Sequence, residues 1–218
     1  MCGIGGIINI NNSKIDPNII ENIKDSLEHR GPDNSSIKYI NESNCFVHTR
    51  LSIIDLNDRS NQPFQNEDKR YTLVFNGEIY NYKEIRKELE NLGIGFTTEG
   101  DTEVLLKGFI TYGSNVLEKL RGQFAFAIYD STEERLFLAR DRIGIKPLYF
   151  SNYEDWFIFG SEIKAIEKSG VVPFSEDVES YISYLRHLCV PSNRTGNKNI
   201  LKLEPGEYIT FSLKEGLI

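Results

Sequence analysis

Between Gln123 and Ser161 four stretches read as β-strands: QFAFAIYD, RLFLARD, PLYFSN and WFIFGS, with only three to five residues between one and the next. A parallel crossover needs a dozen or more residues, so connections this short confine the strands to antiparallel neighbours. The sequence therefore predicts a run of meanders here. That run limits the fold more than any other feature, because it excludes the strand–helix alternation of a doubly wound sheet. Helical patterns fall in groups of their own, and strands in clusters with helices in clusters predict an α+β protein built in layers.

The remaining elements are read from periodicity and punctuation. Ile4 to Ile10 is a strand whose Gly5 and Gly6 permit close backbone approach. DPNIIENIKDSLEHRG is a helix with Asp16 as N-cap, Pro17 at its first position, Ile19, Ile20, Ile23 and Leu27 on one face, and Gly31 at its end. SIKYI, CFVHTRLSI and YTLVFNG are short strands. YKEIRKELENLG is a helix with Ile85, Leu89 and Leu92 on one side, stopped by Gly93; DTEVLLKGFITYG is another, with Asp101 or Thr102 as its cap. SEIKAIEKSG and SEDVESYISYLRHL are helices, the acidic EDVES being a solvated start. NILKLEPGEYITFSL closes as a hairpin-like pair around Pro205-Gly206. No repeat and no low-complexity linker interrupts the chain.

Composition excludes several classes of function. With 32 acidic against 25 basic side chains the net charge is −7, and no basic block offers a nucleic-acid footprint. No apolar run approaches the roughly 18 residues of a membrane span, and the N-terminus lacks the pattern of a signal peptide. Cys2, Cys45 and Cys189 are odd in number and far apart, which argues against both a disulfide framework and zinc spacing. Neither nucleic acid nor membrane is expected as a partner, no metal site is expected, and the expected compartment is the cytoplasm.

Four polar features sit oddly, and each has a plain explanation when taken alone. Cys2 follows Met1, and second positions are permissive; trimming of Met1 would also leave Cys2 with a thiol and an α-amine of reference pKa about 7.7–8, suited to act as a base. Arg50 lies in an otherwise apolar strand and could simply reach solvent at its end. Asn76-Gly77 is the signature of a type I′ turn, yet a helix pattern follows where the second strand should be. Gly100-Asp101 could be an ordinary helix start. Four independent accidents explain the set poorly.

The motifs MCGI, HRGPD (29–33), RLSIID (50–55), QPF (62–64), FNGEIYN (75–81), GDTEV, LRGQFAFAIYD (120–130), ARDRIGIKPLYF (139–150) and FGSEIKAI (159–166) run collinearly over nearly the whole chain. In them the chain resembles the N-terminal glutaminase domain of asparagine synthetase, a class II glutamine amidotransferase of the N-terminal-nucleophile hydrolase superfamily. HRGPD favours the asparagine synthetase branch. The likeness loosens from about Cys189, where only the outline VP…RT…KLEPGEY persists. What the resemblance implies for the fold is a four-layer αββα sandwich, two antiparallel sheets between helix layers, as one domain over 1–218. Residues 1–170 would hold the glutamine site, and 171–218 would close the domain and lead toward an absent synthetase domain.

For the chemistry, the resemblance implies that the Cys2 thiol attacks the side-chain amide of L-glutamine, with its own α-amine as base. Asn76 and the Gly77 N–H would bind the oxyanion. Arg50 would grip the substrate α-carboxylate, with the backbone of Leu51, Ile53 and Ile54 lining that side. Asp101 and Glu78 would take the α-ammonium. His29, His48 and His187 read as structural, as do Arg30 and Asp33, which could hold the nucleophile loop. Cys45 reads as a buried strand residue. No cofactor is expected in this chain. ATP and magnesium belong to the synthetase domain, and the sequence has no phosphate-cradling glycine loop. A C-terminal synthetase domain or subunit is the implied partner, and a homodimer is compatible with it. Two alternatives remain open: a related amidotransferase with another ammonia acceptor, and a module that senses glutamine without hydrolysing it.

Overall fold

The first strand, β1 (Gly3–Asn9), carries isoleucine on both of its faces, so it must be covered from both sides. A computed structural model describes residues 1–51 and 61–217 and shows how this is done. In one sheet β1 pairs antiparallel with β3 (Asn44–Arg50) and with β9 (Trp156–Gly160). β2 (Asn34–Tyr39) flanks β3, while β8 (Tyr149–Tyr153) and the short β10 (Leu201–Lys202) extend the other side. The second sheet has the order β12-β11-β7-β6-β5-β4. Its strands are β4 (Phe64–Gln65), β5 (Tyr71–Ile79), β6 (Gly122–Asp130), β7 (Arg135–Arg140), β11 (Tyr208–Ser212) and β12 (Gly216–Leu217).

The two-residue period of the strands distributes the apolar side chains among three layers. Ile4, Ile8, Phe46, Phe157 and Phe159 of the first sheet meet Val74, Ala125, Ala127, Tyr129, Leu136 and Leu138 of the second. Large rings on one sheet thus face alanines on the other, and Phe157 stacks on Phe211 across the gap at 4.3 Å between centroids. The alternate residues Ile7, Cys45, Val47 and Ile158 point outward to α1 (Pro17–Leu27) and α5 (Ile163–Lys168). Leu73, Phe75, Phe126, Ile128 and Phe137 pack on α2 (Tyr82–Asn91), α3 (Asp101–Tyr112) and α4 (Val116–Lys119). Each fully buried aliphatic or aromatic side chain contributes about 1.5–3 kcal/mol. The result is four layers, helix–sheet–sheet–helix. Among the described residues no helix is long and apolar enough to cross a membrane.

Several expectations need correcting. The four strands between Gln123 and Ser161 are antiparallel but form no single meander: β6 and β7 belong to the second sheet, β8 and β9 to the first. The connection between them is held open by two side chains. The Asp141 carboxylate accepts from the backbone N–H of Ile143, Ile145 and Lys146, and the Arg140 guanidinium donates to the carbonyls of Gly144, Lys146 and Leu203. The Pro205-Gly206 turn likewise joins β10 in one sheet to β11 in the other, so no hairpin forms. Gly206 takes φ 74° there, and its N–H reaches the Asp141 carbonyl at 2.9 Å.

Smaller departures have equally local causes. α1 starts as read, with Asp16 accepting from Asn18 N at 2.9 Å, but a 3-10 turn over Glu28–Arg30 intervenes before Gly31. Leu92 is 61% exposed, beyond the last turn of α2. Asp177 is buried instead of solvated, because Arg194 Nε and Ser180 Oγ both donate to it ahead of α6 (Val178–His187).

Candidate active site

The alternation that builds the inner layer also brings polar residues to one end of it. In β5 Val74 faces the other sheet, so Asn76 and Glu78 follow on the same side; in β3 Phe46 does so, followed by His48 and Arg50. Cys2 precedes Ile4 by the same two-residue step. At this end the sheets leave a cleft with about 650 Å³ of space, part of it open to solvent. Cys2, Arg50, Leu51, Asn76, Gly77, Glu78 and Asp101 all line it. Ile53 and Ile54, expected on the same wall, lie outside the described residues.

Cys2 is held from two directions, and the strand it leads into is fixed by a third contact. Its Sγ receives the Leu51 N–H at 3.4 Å, and Arg30 Nε donates to its carbonyl at 3.0 Å. Arg30 is itself anchored by Glu162 at 2.9 Å, so the HRGPD and FGSEIKAI segments meet behind the nucleophile. Ile4 N donates to Ser161 Oγ at 3.0 Å and fixes the start of β1. Burial pushes the Cys2 thiol above its ordinary range; the Leu51 N–H and the positive charges of the N-terminus, Arg50 and Lys146 oppose that rise. Cys45 is fully buried among the α1 contacts and its thiol is pushed up to about 12, whereas Cys189 is exposed.

Asn76 and Gly77 lie inside β5, not in a turn after it, because the strand continues pairing with β6 as far as Ile79 opposite Gly122. Asn76 is 1% exposed, and its Nδ2 has no hydrogen-bond partner among the described residues. A buried amide donor left unpaired costs about 1–3 kcal/mol, so one aimed at a cleft is a donor in waiting. Gly77 is required by space: a Cβ there would stand 2.1 Å from the Gln123 carbonyl oxygen and 2.7 Å from Phe124 Cα. Gly77→Ala is therefore expected to force β5 and β6 apart and to cost about 1–3 kcal/mol or more. A denaturation midpoint equal to wild type would show that the strands yield freely.

The charged walls are positioned by backbone. Arg50, 6% exposed, ends β3 where Asp33 N donates to its carbonyl at 3.0 Å, and its guanidinium donates to Asn61 Oδ1 at 2.6 Å. Asp101 is the first residue of α3 and not its cap, which is Gly100; its carboxylate instead accepts the Ile79 N–H at 3.0 Å. Glu103 gathers the N–H groups of Thr97 and Thr98 and so fixes the approach to that helix. Burial, reinforced by the charge of Glu78, pushes Asp101 up to about 6.

Four further cleft residues have no binding or catalytic role in the sequence reading. Gln62 accepts the Phe75 N–H at 2.6 Å, and Thr102, Lys146 and His48 line the walls. Burial pushes His48 down to about 3; the Phe75 carbonyl offsets this slightly, at a geometry short of a hydrogen bond, and the ring is neutral near pH 7. A buried His in a strand reads as core, and a Lys in a polar loop reads as solvated, so neither signals a site in sequence. Among the described residues no group of three or more His, Cys, Asp or Glu is arranged to hold a metal.

Comparisons with known proteins place the chain in a family. The family model described as "Glutamine amidotransferase domain" matches residues 1–216. Asparagine synthetase [glutamine-hydrolyzing] 1 of Bacillus subtilis is 38% identical, over 97% of this chain and 33% of the relative. Amidase chry2 of Gibberella zeae is 31% identical, over 96% of this chain and 32% of the relative. The chain thus spans about a third of the length of these curated relatives. Among solved structures, the glutamine phosphoribosylpyrophosphate amidotransferase of B. subtilis superposes with a TM-score of 0.72, at 22% identity, covering 100% of this chain and 48% of that one. At that identity the likeness speaks for the fold alone, a sandwich of the N-terminal-nucleophile type.

Proposed function

This chain belongs to the glutamine amidotransferase domain family, and from that premise we propose that its cleft is the glutaminase site of an asparagine synthetase-type enzyme. The observation that carries the reading is the convergence of a thiol, the unpartnered amide donor of Asn76, the Arg50 cation and the Glu78 and Asp101 carboxylates on a single cleft. Glutamine has the matching parts: a reactive amide at one end and a zwitterion at the other. Arg50 takes the α-carboxylate through charge-assisted hydrogen bonds, and Asp101 with Glu78 takes the α-ammonium.

In the reaction, Met1 is removed and the α-amine of Cys2 assists its own thiol. The sulfur adds to the amide carbon, and the charge that builds on oxygen is met by Asn76 Nδ2 and the Gly77 N–H. The C–N bond then breaks, the nitrogen leaves as ammonia with a proton from the α-ammonium, and a thioester remains. Water adds to it and gives its proton to the amine, glutamate departs, and the thiol is restored. Ammonia passes to a synthetase domain or subunit, where ATP, magnesium and aspartate would supply the acceptor chemistry. Three free cysteines suit a reducing cytoplasm.

A second reading keeps this half-reaction and changes the acceptor; the likeness to a protein named as an amidase favours it. Both predict that the 218-residue chain releases glutamate and ammonia from amide-labelled glutamine and forms no labelled asparagine. Asn76→Ala is expected to lower turnover by about 10²–10³, the usual effect of removing one oxyanion donor. Unchanged turnover in that variant would remove Asn76 from the site, and absence of glutamate from the wild type would refute the hydrolase reading.

A further inference from the structure

Lys146 is a charged cleft residue to which the glutaminase reading assigns no part. It is 7% exposed, and its ammonium makes no hydrogen bond or ion pair with any described residue. Its side chain lies in the cleft wall with no acceptor of its own, so its charge is available to an anion that enters or forms there. Its backbone leaves it little choice of position. Lys146 N donates to Asp141 Oδ2 at 2.9 Å, and its carbonyl accepts from Arg140 Nε at 2.8 Å. The Asp141 carboxylate also receives the N–H of Phe124, the residue paired with Gly77 in β6, so the loop is tied to the strand beside the nucleophile.

We propose that Lys146 is an electrostatic positioning residue whose ammonium serves as the fixed counter-charge of the Cys2 thiolate. This deepens the glutaminase reading and rests on it. The other charged and titratable groups at the cleft leave that task open. Arg50 also opposes the rise at Cys2, but its charge is taken up by the substrate carboxylate once glutamine binds, and His48 is neutral because burial pushes it down to about 3. Glu78 and Asp101 are of the wrong sign. The N-terminal charge is the remaining cation, and it must give up its proton to act as a base. Lys146 takes no part in the proton transfers, and its charge opposes the rise that burial imposes on the thiol. The thiolate is the nucleophile, so a charge held beside it raises the reactive fraction without entering the reaction.

The test uses alkylation by iodoacetamide, which is uncharged and so is not itself drawn to a lysine. Rates at Cys2 are followed by peptide mass mapping from pH 6 to 10, with exposed Cys189 in the same molecule as the internal reference. In Lys146→Met the midpoint at Cys2 should move up by about one pH unit, with alkylation at pH 7.5 about tenfold slower and Cys189 unaffected. Lys146→Arg should restore the wild-type profile. If the methionine variant does not fold, Lys146→Gln is read in its place. An unchanged Cys2 midpoint in a folded neutral variant overturns the proposal, as does a rise in KM for glutamine with no change at Cys2, which would make Lys146 a substrate clamp. No glutamine is present during alkylation, so this result stands apart from whether the chain hydrolyses it.

Discussion

Cys2→Ala is expected to release no glutamate or ammonia while still binding glutamine with an affinity close to that of wild type. The thiol is the only group at the cleft able to form the thioester, whereas the clamp formed by Arg50 and Asp101 stands on β3 and α3 and does not depend on it. Folding should be retained, since Cys2 is only partly buried and precedes β1. Isothermal titration with glutamine, beside a coupled ammonia assay, reads both halves. Residual hydrolysis would move the nucleophile elsewhere, and Cys189 would be next because Cys45 is buried with its thiol pushed up to about 12. The wild type should also lack Met1 by intact mass, and full activity in a homogeneous Met1-retaining sample would end the terminal-amine mechanism.

Asp101→Asn should separate stability from function. Burial pushes this carboxyl up to about 6, so the folded chain holds the proton more tightly than the unfolded chain, in which it titrates near 3.9. Its contribution to stability is therefore most favourable below about pH 4 and declines as pH rises to about 6. Asparagine does not titrate. The stability of Asp101→Asn relative to wild type should thus improve between pH 4 and 7, by up to about 3 kcal/mol. Capture of glutamine should move the other way: loss of the charge for the α-ammonium should lower kcat/KM by about ten- to a hundredfold at pH 7.5. In the wild type kcat/KM should fall as pH drops through about 6 and Asp101 becomes neutral. Denaturant titrations at several pH values that run parallel for the two proteins would place the titrating group elsewhere.

The layered antiparallel class was legible because strand connections of a few residues leave no other option, and α1 because Asp16 and Pro17 cap it by purely local chemistry. Which strand joins which sheet was not legible. That choice is made at Arg140 and Asp141, whose hydrogen bonds go to a loop and to Leu203, far along the chain. The turn reading of Asn76-Gly77, already weakened by the helix pattern that follows, fails for a related reason. The dipeptide is a strong local turn signal, but here the glycine answers to the Gln123 carbonyl across the sheet. Residues that line the cleft, such as Cys2, Arg50, Asn76 and Asp101, were findable through motifs that keep their order. Gln62 and Lys146 were not, because their significance lies in a main-chain N–H of β5 and in a burial that only the folded cleft creates.

The central place of β1 also sets an order of events in time. Its two neighbours are β3 and β9, and the bond from Ile4 N to Ser161 Oγ closes a loop of 157 residues. During vectorial synthesis the first strand therefore has one edge to lean on early, and must wait for most of the chain to emerge before the other is filled. For that interval the cleft around Cys2, which is lined by residues of β3, β5 and α3, is not yet closed. The proposed nucleophile thus stands at the head of the first strand of its sheet and gains its full setting only when β9 pairs.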